Sequence, residues 1–491
     1  MLKLVKNIKL KFAQPTLLTF STSIFVLYLL VFANAFAFNS NLLSVFIFIM
    51  SLLFIVLYQG EFRLMLIFNL LLISTVVKTG FFSTSLVTII ILLFSIWELY
   101  FFFEPFIFKK RGNARGLVYP FILMLLLIAY VFLLWVIIKN GRPGFNRIIS
   151  YATTLLFVFS TTTFIKRNNL LKDCSFTAKM VLNFIVNLVV IAIFSLPVFV
   201  KSLGTNYHSF TGASDYHRFI IKNINDTYAL VRFSTTFHDP NVSGLVLVAA
   251  LALLLIFFSK LKKLISALQL IVLGSLLALF ALLSFSKMVM VLLVLLLLVR
   301  VFNYLIHSIK NKRPINLLII YVPLITITFG LLFFGDLFSL LLGRFSEGFM
   351  VDFETTLNAL TTYRFFIAKD IVSRFIVRFD FFIFGVGIEN TSLYSFSHAP
   401  HDTIIQTLTN FGLLFTIVFI LFITSVYKAL VNGLGLGETS TKHVLKRFVY
   451  LGVPMLGLIY LSLLTYTVFY QLILIVILSL ISIKKEESEN A

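Results

Sequence analysis

Residues 117–138 read LVYPFILMLLLIAYVFLLWVII, a run of 22 residues without a charged side chain. A run of about 20 apolar residues is long enough to cross the hydrocarbon core of a bilayer as an α-helix. The run lacks the alternation of polar and apolar residues that a strand of a membrane barrel would show. Because every backbone N–H and C=O must be paired inside the membrane, this stretch predicts a transmembrane helix.

Similar runs follow one another along nearly the whole chain of 491 residues. Hydrophobic residues make up 60% of the sequence and charged residues only 12%, a balance that excludes a soluble enzyme of this size. The sequence predicts a single all-α, polytopic membrane helical bundle over residues 1–491, with about 14 transmembrane helices. The predicted spans are about 16–37, 41–58, 63–79, 82–103, 117–138, 149–165, 181–200, 241–259, 264–284, 287–305, 316–340, 403–427, 448–467 and 469–483.

The net charge of +21 comes from small clusters of lysine and arginine between the apolar runs. Such clusters are typical of cytoplasmic loops, so they orient the chain and do not indicate nucleic-acid binding. An even number of spans then predicts that both termini are cytoplasmic. Cys174 is the only cysteine, so no disulfide can form within the chain.

Two long polar segments, residues 201–240 and 341–402, interrupt the series of spans and are predicted to be extracytoplasmic loops. One interpretation of their basic residues is that they are solvated or paired with acids of the same loops. The other is that arginines, with their planar donor groups, bind phosphate at the outer membrane face. Arg374 and Arg378, four residues apart, are predicted to form one basic edge. The nine basic residues are Lys201, Arg218, Lys222, Arg232, Arg344, Arg364, Lys369, Arg374 and Arg378.

Arg364 differs from the other basic residues because of its apolar surroundings in the sequence. If residues 355–378 form an amphipathic helix, Ala368, Ile371 and Phe375 lie on the same face as Arg364. A permanent charge on an apolar face is costly unless it meets an anion or a buried acid. Arg364 is therefore a candidate ligand for an anionic substrate.

The segment from Arg232 to Asn241 leads into the span predicted to begin near residue 241. Asp239, Pro240 and Asn241 are residue types that favour the first turn of a helix. The free N–H groups of a helix N-terminus, together with Arg232, predict an anion site. A helix cap without any ligand is the alternative interpretation.

A second polar run lies ahead of the twelfth predicted span. The residues from Gly385 to Gly387 predict a turn, and they are no dinucleotide site because the third glycine is missing. His398 and His401 follow, but no cysteine or further histidine completes a metal site with them. His401, next to Asp402, is predicted to accept a proton. A histidine that only caps the following helix is the alternative.

The order of residues from His401 resembles a known signature. The sequence runs His-Asp, nine residues, Gly412, three residues and Thr416. This resembles H-[NSQ]-x9-G-x3-[GTY] of O-antigen ligases and related polymerases, and departs from it at Asp402.

Three further segments resemble the same superfamily. The run from Arg232 to Asn241 is similar to its Arg…(Asn/Asp)-Pro-Asn segment. Ser286-Lys287 stands where many members have Ser-Arg, and Gly385-x-Gly387 is similar to the glycine turn of the family. The resemblance covers roughly residues 225–430, and the N-terminal half is similar only in being a series of spans.

The resemblance implies a Wzy-type glycosyltransferase in the cytoplasmic membrane of a bacterium, working at the outer face without a cofactor or a metal ion. Its substrate would be an undecaprenyl-diphosphate-linked oligosaccharide, and further partners would be membrane lipid, a chain-length regulator and a flippase. Arg232 and Arg364 would bind the diphosphate, and His401 would be the base. Other substrate-binding residues would be Arg218, Arg374, Arg378, His398, Asp239, Asn241 and Lys287.

Two other functions remain open at the level of sequence. A ligase that transfers the finished glycan to another acceptor would use the same residues. A flippase for lipid-linked oligosaccharides is a different class, and coupled transporters tend to carry ionisable groups deep inside their spans. The acids Glu98, Glu104 and Asp336 are predicted to lie near span ends, which disfavours a transporter.

Overall fold

The structure is a computed structural model. It describes residues 17–34, 40–73, 86–107, 115–138, 144–173, 175–202, 218–222, 227–231, 233–235, 240–284, 286–310, 364–387, 403–432, 434 and 467–489.

The described residues form mainly α-helices. The first seven are α1 (Leu17–Ala33), α2 (Asn41–Leu57), α3 (Gly60–Leu72), α4 (Leu86–Ile107), α5 (Arg115–Ile138), α6 (Gly144–Arg167) and α7 (Phe176–Ser202). The others are α8 (Pro240–Leu261), α9 (Ala267–Leu283), α10 (Lys287–Lys310), α11 (Arg364–Val377), α12 (Phe379–Phe384), α13 (Thr403–Val431) and α14 (Thr467–Glu489). A short 3₁₀-helix, Leu170–Lys172, joins α6 to α7.

The helices bear out a membrane helical protein. Six of them, α4 to α8 and α13, are long and apolar enough to cross a bilayer. Twelve predicted spans fall on described helices, whereas the predicted spans 316–340 and 448–467 lie essentially outside the described residues. Helices α11 and α12 belong to the predicted loop 341–402 and are not among the predicted spans. The count of about 14 crossings therefore stays a prediction.

A two-stranded antiparallel hairpin lies inside the predicted loop 201–240. Its strands are β1 (Arg218–Lys222) and β2 (Thr227–Val231), with Arg218 opposite Val231. The run from Arg218 to Lys222 contains three apolar residues, Phe-Ile-Ile, which favour a strand. The sequence analysis predicted only a polar loop here.

Helix α3 lies at the centre of the described bundle. Its residues from Leu64 to Leu72 are all buried, as expected for a helix that is enclosed by other helices on every side. It contacts α1, α2, α4, α7 and α14. With 13 residues it is about 20 Å long at 1.5 Å per residue, well short of the roughly 30 Å hydrocarbon thickness. Helix α3 therefore ends inside the bundle.

Side-chain hydrogen bonds connect α3 to its neighbours. The amides of Asn69 and Asn183 bond to each other in both directions, at 3.2 and 2.9 Å, and join α3 to α7. The hydroxyl of Tyr28 donates to the carbonyl of Asn69, and the Gln471 amide donates to the carbonyl of Phe68. Such bonds between helices are favoured in hydrocarbon because no water competes for the polar groups.

An ion pair joins α4 to α6. Arg167 at the end of α6 donates to the carboxylate of Glu98 at 2.6 Å, and its guanidinium lies 3.9 Å from the centre of the Phe101 ring. The Glu98 side chain is 0% exposed, and that of Arg167 is 32% exposed. That Glu98 lies near the end of its span stays a prediction: α4 continues to Ile107, but Arg167, the partner of Glu98, is the last residue of α6.

Removal of Arg167 is expected to destabilise the bundle strongly. Arg167→Ala removes the cation that is hydrogen-bonded to the buried Glu98 carboxylate. We expect the free energy of unfolding to fall by about 2–3 kcal/mol, less than for a completely buried pair. The midpoint of thermal unfolding in detergent measures the effect. Lys179→Ala is the control, because the partners of Lys179 are more exposed than Glu98: the Glu61 and Asp173 side chains are 19% and 50% exposed. This variant should lose at most about 1 kcal/mol of unfolding free energy. Equal losses in both variants would contradict this account.

Candidate functional site

The structure describes the predicted site residues to different extents. The side chains of Asn241, Arg374 and Arg378 are described, and for Arg218, Lys287 and Arg364 only the backbone is. Arg232, Asp239, His398 and His401 lie outside the described residues. The geometry of the site is therefore built from the elements that flank these residues.

The segment that follows Arg232 is fixed on the end of α9. The backbone N–H of Phe233 donates to the carbonyl of Leu283 at 2.9 Å. The Phe233 ring stacks on Phe280, with the ring centres 5.3 Å apart, and is fully buried. Arg232 thus immediately precedes a residue that is held by both its backbone and its side chain.

The first turn of α8 contacts the same region. The N–H of Thr235 donates to the Ser243 hydroxyl at 3.0 Å, and the two hydroxyls lie 3.1 Å apart. Gly244 packs so closely that an added Cβ would lie 2.5 Å from the Ser284 hydroxyl and 2.6 Å from Val289. We call residues 233–235, 240–244, 283–284 and 286–289 the α8 junction.

The α8 junction includes described residues of two segments that the sequence predicts to be functional. One is the run from Arg232 to Asn241, and the other is Ser286-Lys287. Ser286 is buried, and Lys287 is the first residue of α10. The first turn of α8, which begins at Pro240, contains no acidic residue.

The two glycine segments also meet. The N–H of Val386 donates to the carbonyl of Thr409 at 2.7 Å, and the N–H of Gly387 donates to the carbonyl of Asn410 at 2.9 Å. We call residues 383–387 and 409–412 the glycine crossing. It joins the segment after α12 to the first part of α13.

Only glycine fits at the centre of the glycine crossing. Gly385 and Gly412 have φ values of +75° and +77°, a region that side chains with a Cβ rarely adopt. A Cβ on Gly385 would lie 2.6 Å from the backbone nitrogen of Phe411. A Cβ on Gly412 would overlap the carbonyl oxygen of Ile383 and lie 2.5 Å from the carbonyl carbon of Phe384.

Gly412 also interrupts α13. Its backbone is not helical, so the helix is divided into residues 403–411 and 413–431. Because of this interruption, the carbonyls of Thr409 and Asn410 lose their regular helical donors. The N–H groups of Val386 and Gly387 donate to these carbonyls instead. The hydroxyl of Thr416 donates to the carbonyl of Gly412 at 2.8 Å. Both Gly412 and Thr416 therefore have a defined structural role.

Aromatic residues of two other helices surround the glycine crossing. The Tyr130 hydroxyl of α5 donates to the carbonyl of Phe384 at 2.8 Å. The Phe411 ring packs edge-on against Tyr151 of α6 and stacks on Phe415. The sequence analysis missed Tyr130 and Tyr151, and their only signal was a hydroxyl within an apolar span. His401 stands two residues ahead of Thr403, where this fixed helix begins.

Helix α11 confirms part of the prediction for residues 355–378. It runs from Arg364 to Val377, and residues 355–363 lie outside the described residues. Ile371 and Phe375 are buried as predicted, and Ala368 is half-buried. The predicted packing face therefore exists, and Arg364 is the first residue of the helix.

Arg374 and Arg378, the predicted basic edge, each have an acidic partner. Helix α11 ends before Arg378, and both side chains are exposed. Arg374 lies 3.9 Å from the Asp370 carboxylate, and Arg378 binds Asp380 through two hydrogen bonds of 2.9 and 2.7 Å. These hydrogen bonds from Arg378 lower the pKa of Asp380. Pairing with acids of the same loop is thus what the structure shows for both arginines.

The glycine crossing predicts a large difference between two glycine substitutions. Gly412→Ala is expected to destabilise the protein by at least about 1–3 kcal/mol from backbone conformation alone, with the overlap adding to it. Gly274→Ala in α9 is the matched control, because its Cβ would meet side chains only at 3.7 Å or more. The Gly274→Ala substitution should leave the free energy of unfolding unchanged or raise it by up to about 1 kcal/mol. Thermal unfolding measures both, and a tolerated Gly412→Ala would refute the geometry.

Comparison of this chain with protein-family models, with curated proteins and with solved structures finds no match. The O-antigen polymerase and ligase superfamily is therefore a proposal that rests on the motifs and on the contacts between them.

Proposed function

We propose that this protein is a membrane glycosyltransferase that polymerises undecaprenyl-diphosphate-linked oligosaccharide repeat units for a bacterial surface polysaccharide. The observation that carries the proposal is the glycine crossing. The Gly385-x-Gly387 turn donates hydrogen bonds to the carbonyls of Thr409 and Asn410, which directly precede the Gly412-x3-Thr416 motif, and Gly412 packs closely on Ile383 and Phe384. If the two motifs resembled the family only by chance, there would be no reason for their segments to contact each other in the folded protein.

The reaction needs a cationic site and a base. The bond between the anomeric carbon of the donor glycan and its diphosphate oxygen breaks, and the acceptor hydroxyl forms the new glycosidic bond. The diphosphate leaves with additional negative charge, which fixed arginines can neutralise. The proton of the acceptor hydroxyl passes to a base. We assign Arg232 and Arg364 to the diphosphate and His401 to the proton.

The surroundings of these three residues support the assignment. Arg232 directly precedes the anchored Phe233 of the α8 junction. Arg364 begins α11, and His401 stands two residues before α13. Catalytic groups act well only when rigid elements hold them near the productive geometry. Each of the three is next to such an element.

A ligase is the nearest alternative, since it would use the same donor and the same residues. The two activities differ in what accumulates when the protein is lost. Loss of a polymerase leaves lipid-linked single repeat units, whereas loss of a ligase leaves long lipid-linked chains. A chain-length regulator and a flippase are the expected protein partners of the polymerase.

A flippase is the second candidate, and the buried Glu98 is the observation that favours it. An acid buried within a membrane helix is often part of a transport path. Its carboxylate oxygen Oε2 has no hydrogen-bond partner among the described residues, and the same holds for the hydroxyl of Ser95 one turn earlier. If the protein is a flippase, Glu98→Gln abolishes transport of lipid-linked units. If it is a polymerase, the folded Glu98→Gln variant still extends chains.

The polymerase proposal predicts that three substitutions stop chain extension. Arg232→Ala, Arg364→Ala and His401→Ala should each lower the rate of polymer formation by roughly 100-fold or more, because each removes charge stabilisation or the base. Purified protein with synthetic lipid-linked repeat units, followed by gel analysis of chain length, measures the rate. Lys262→Ala is the control, since Lys262 is exposed just beyond the end of α8.

The outcomes separate the candidates. Retained chain extension in all three variants would refute the assigned roles. Lost chain extension with single repeat units still reaching the outer face would refute transport as the main function.

A further inference from the structure

The first part of α13, residues 403–411, has two faces of different character. Ile405 and Leu408 pack against the apolar cluster of α11 and α12. Gln406 and Asn410 are one helical turn apart and share a face. At about 100° per residue, this face lies roughly opposite Ile405 and Leu408. The segment therefore carries two amide side chains on the side that points away from α11.

These two amides are largely withdrawn from water without a partner in the described protein. Asn410 is 5% exposed. The oxygen Oε1 of Gln406 is buried and has no hydrogen-bond partner among the described residues. Neither side chain forms a hydrogen bond within the part of the chain that the structure describes. Because a buried amide without a hydrogen bond destabilises a protein, two of them on one face indicate that a ligand supplies the missing bonds.

The other buried amides of the described bundle each form at least one hydrogen bond. Asn69 and Asn183 bond to each other, and Asn187 donates to the carbonyl of Asn183 at 2.7 Å. Gln471 donates to the carbonyl of Phe68 at 3.2 Å. These bonds hold helices together, so the buried amides there have a structural role. The two amides of α13 differ from them in having no such bond.

The composition of the segment indicates the class of ligand. Residues 403–411 contain no charged side chain, so the face offers hydrogen bonds but no net charge. An amide has two donor hydrogens and one acceptor oxygen, and a hydroxyl group also donates and accepts. A neutral ligand rich in hydroxyls therefore matches this face, whereas a phosphate is better bound by arginine. The two amides are about 6 Å apart along the helix axis, a distance that one sugar unit can span.

We propose that Gln406 and Asn410 form a subsite that binds sugar hydroxyls of the lipid-linked oligosaccharide. This inference rests on the proposed function and specifies residues that hold the glycan and not the diphosphate. The helix that carries the subsite begins at Thr403, two residues after His401. The neutral subsite thus follows the proposed base directly in the sequence, while the charged part of the substrate is assigned to arginines elsewhere.

Binding of a free oligosaccharide tests the subsite apart from catalysis. The repeat-unit oligosaccharide of the host's surface polysaccharide is released from its lipid by mild acid and labelled with a fluorophore at the reducing end. Fluorescence polarisation measures its dissociation constant for the full-length protein in lipid nanodiscs. Gln406→Met and Asn410→Leu each remove an amide with little change in volume. Each should weaken binding roughly tenfold, because hydrogen bonds to the glycan are lost.

Thermal unfolding separates a subsite from a structural role. Replacing an amide that has no partner in the protein by an apolar side chain should leave the melting temperature unchanged or raise it. Thr409→Val is the matched control, since the Thr409 hydroxyl donates to the carbonyl of Ile405 in its own helix at 2.7 Å. This control should leave the dissociation constant unchanged. A lowered melting temperature with unchanged oligosaccharide binding in both amide variants would overturn the proposal.

Chain extension by the same protein samples distinguishes this inference from the proposed function. If the wild-type protein binds the oligosaccharide through both amides but forms no polymer from lipid-linked repeat units, the polymerase proposal fails and the subsite is supported. If the wild-type protein forms polymer and both amide variants bind the oligosaccharide equally well, the subsite alone is refuted. Absence of oligosaccharide binding by the wild-type protein also refutes the subsite. If Asn410→Leu does not fold, Gln406→Met decides the outcome.

Discussion

A backbone carbonyl or N–H that lies in hydrocarbon must have a partner within the protein, and the structure around α13 follows from this requirement. The interruption of α13 at Gly412 leaves carbonyls of Thr409 and Asn410 in need of donors. A neighbouring helix can offer only side chains, whereas a stretch of extended chain can offer consecutive N–H groups. The residues after α12 do this, and glycine on both sides lets the two backbones approach closely enough.

The same requirement explains the polar residues inside the bundle. Helix α3 is too short to cross the membrane, so its last turn ends among other helices, where Tyr28 and Gln471 donate to its carbonyls. The carboxylate of Glu98 is held by the guanidinium of Arg167. In water such contacts contribute little, but in the interior of this bundle the alternative to each is an unpaired polar group.

The sequence was sufficient to predict where helices form but not where they stop or what they touch. The uncharged run 117–138 predicts α5 nearly to the residue, because hydrocarbon thickness and composition fix both its ends. The predicted span 63–79 starts within α3, which ends at Leu72, and residues 74–79 lie outside the described residues. The glycines were recognised as special, but their mutual contact depends on tertiary structure. The hairpin from Arg218 to Val231 was missed because its strands are short and their loop is otherwise polar.

These contacts divide the candidate site into two units. Helix α11, α12, the glycine crossing and the first part of α13 form one unit, since the apolar cluster around Ile371 and the backbone hydrogen bonds hold them together. Arg364 begins this unit, and its last helix begins at Thr403, two residues after His401 in the sequence. Arg232 instead adjoins the α8 junction, which is held by α9 and α10. In the proposed site, Arg364 and His401 thus adjoin the first unit in the sequence, whereas Arg232 adjoins the second.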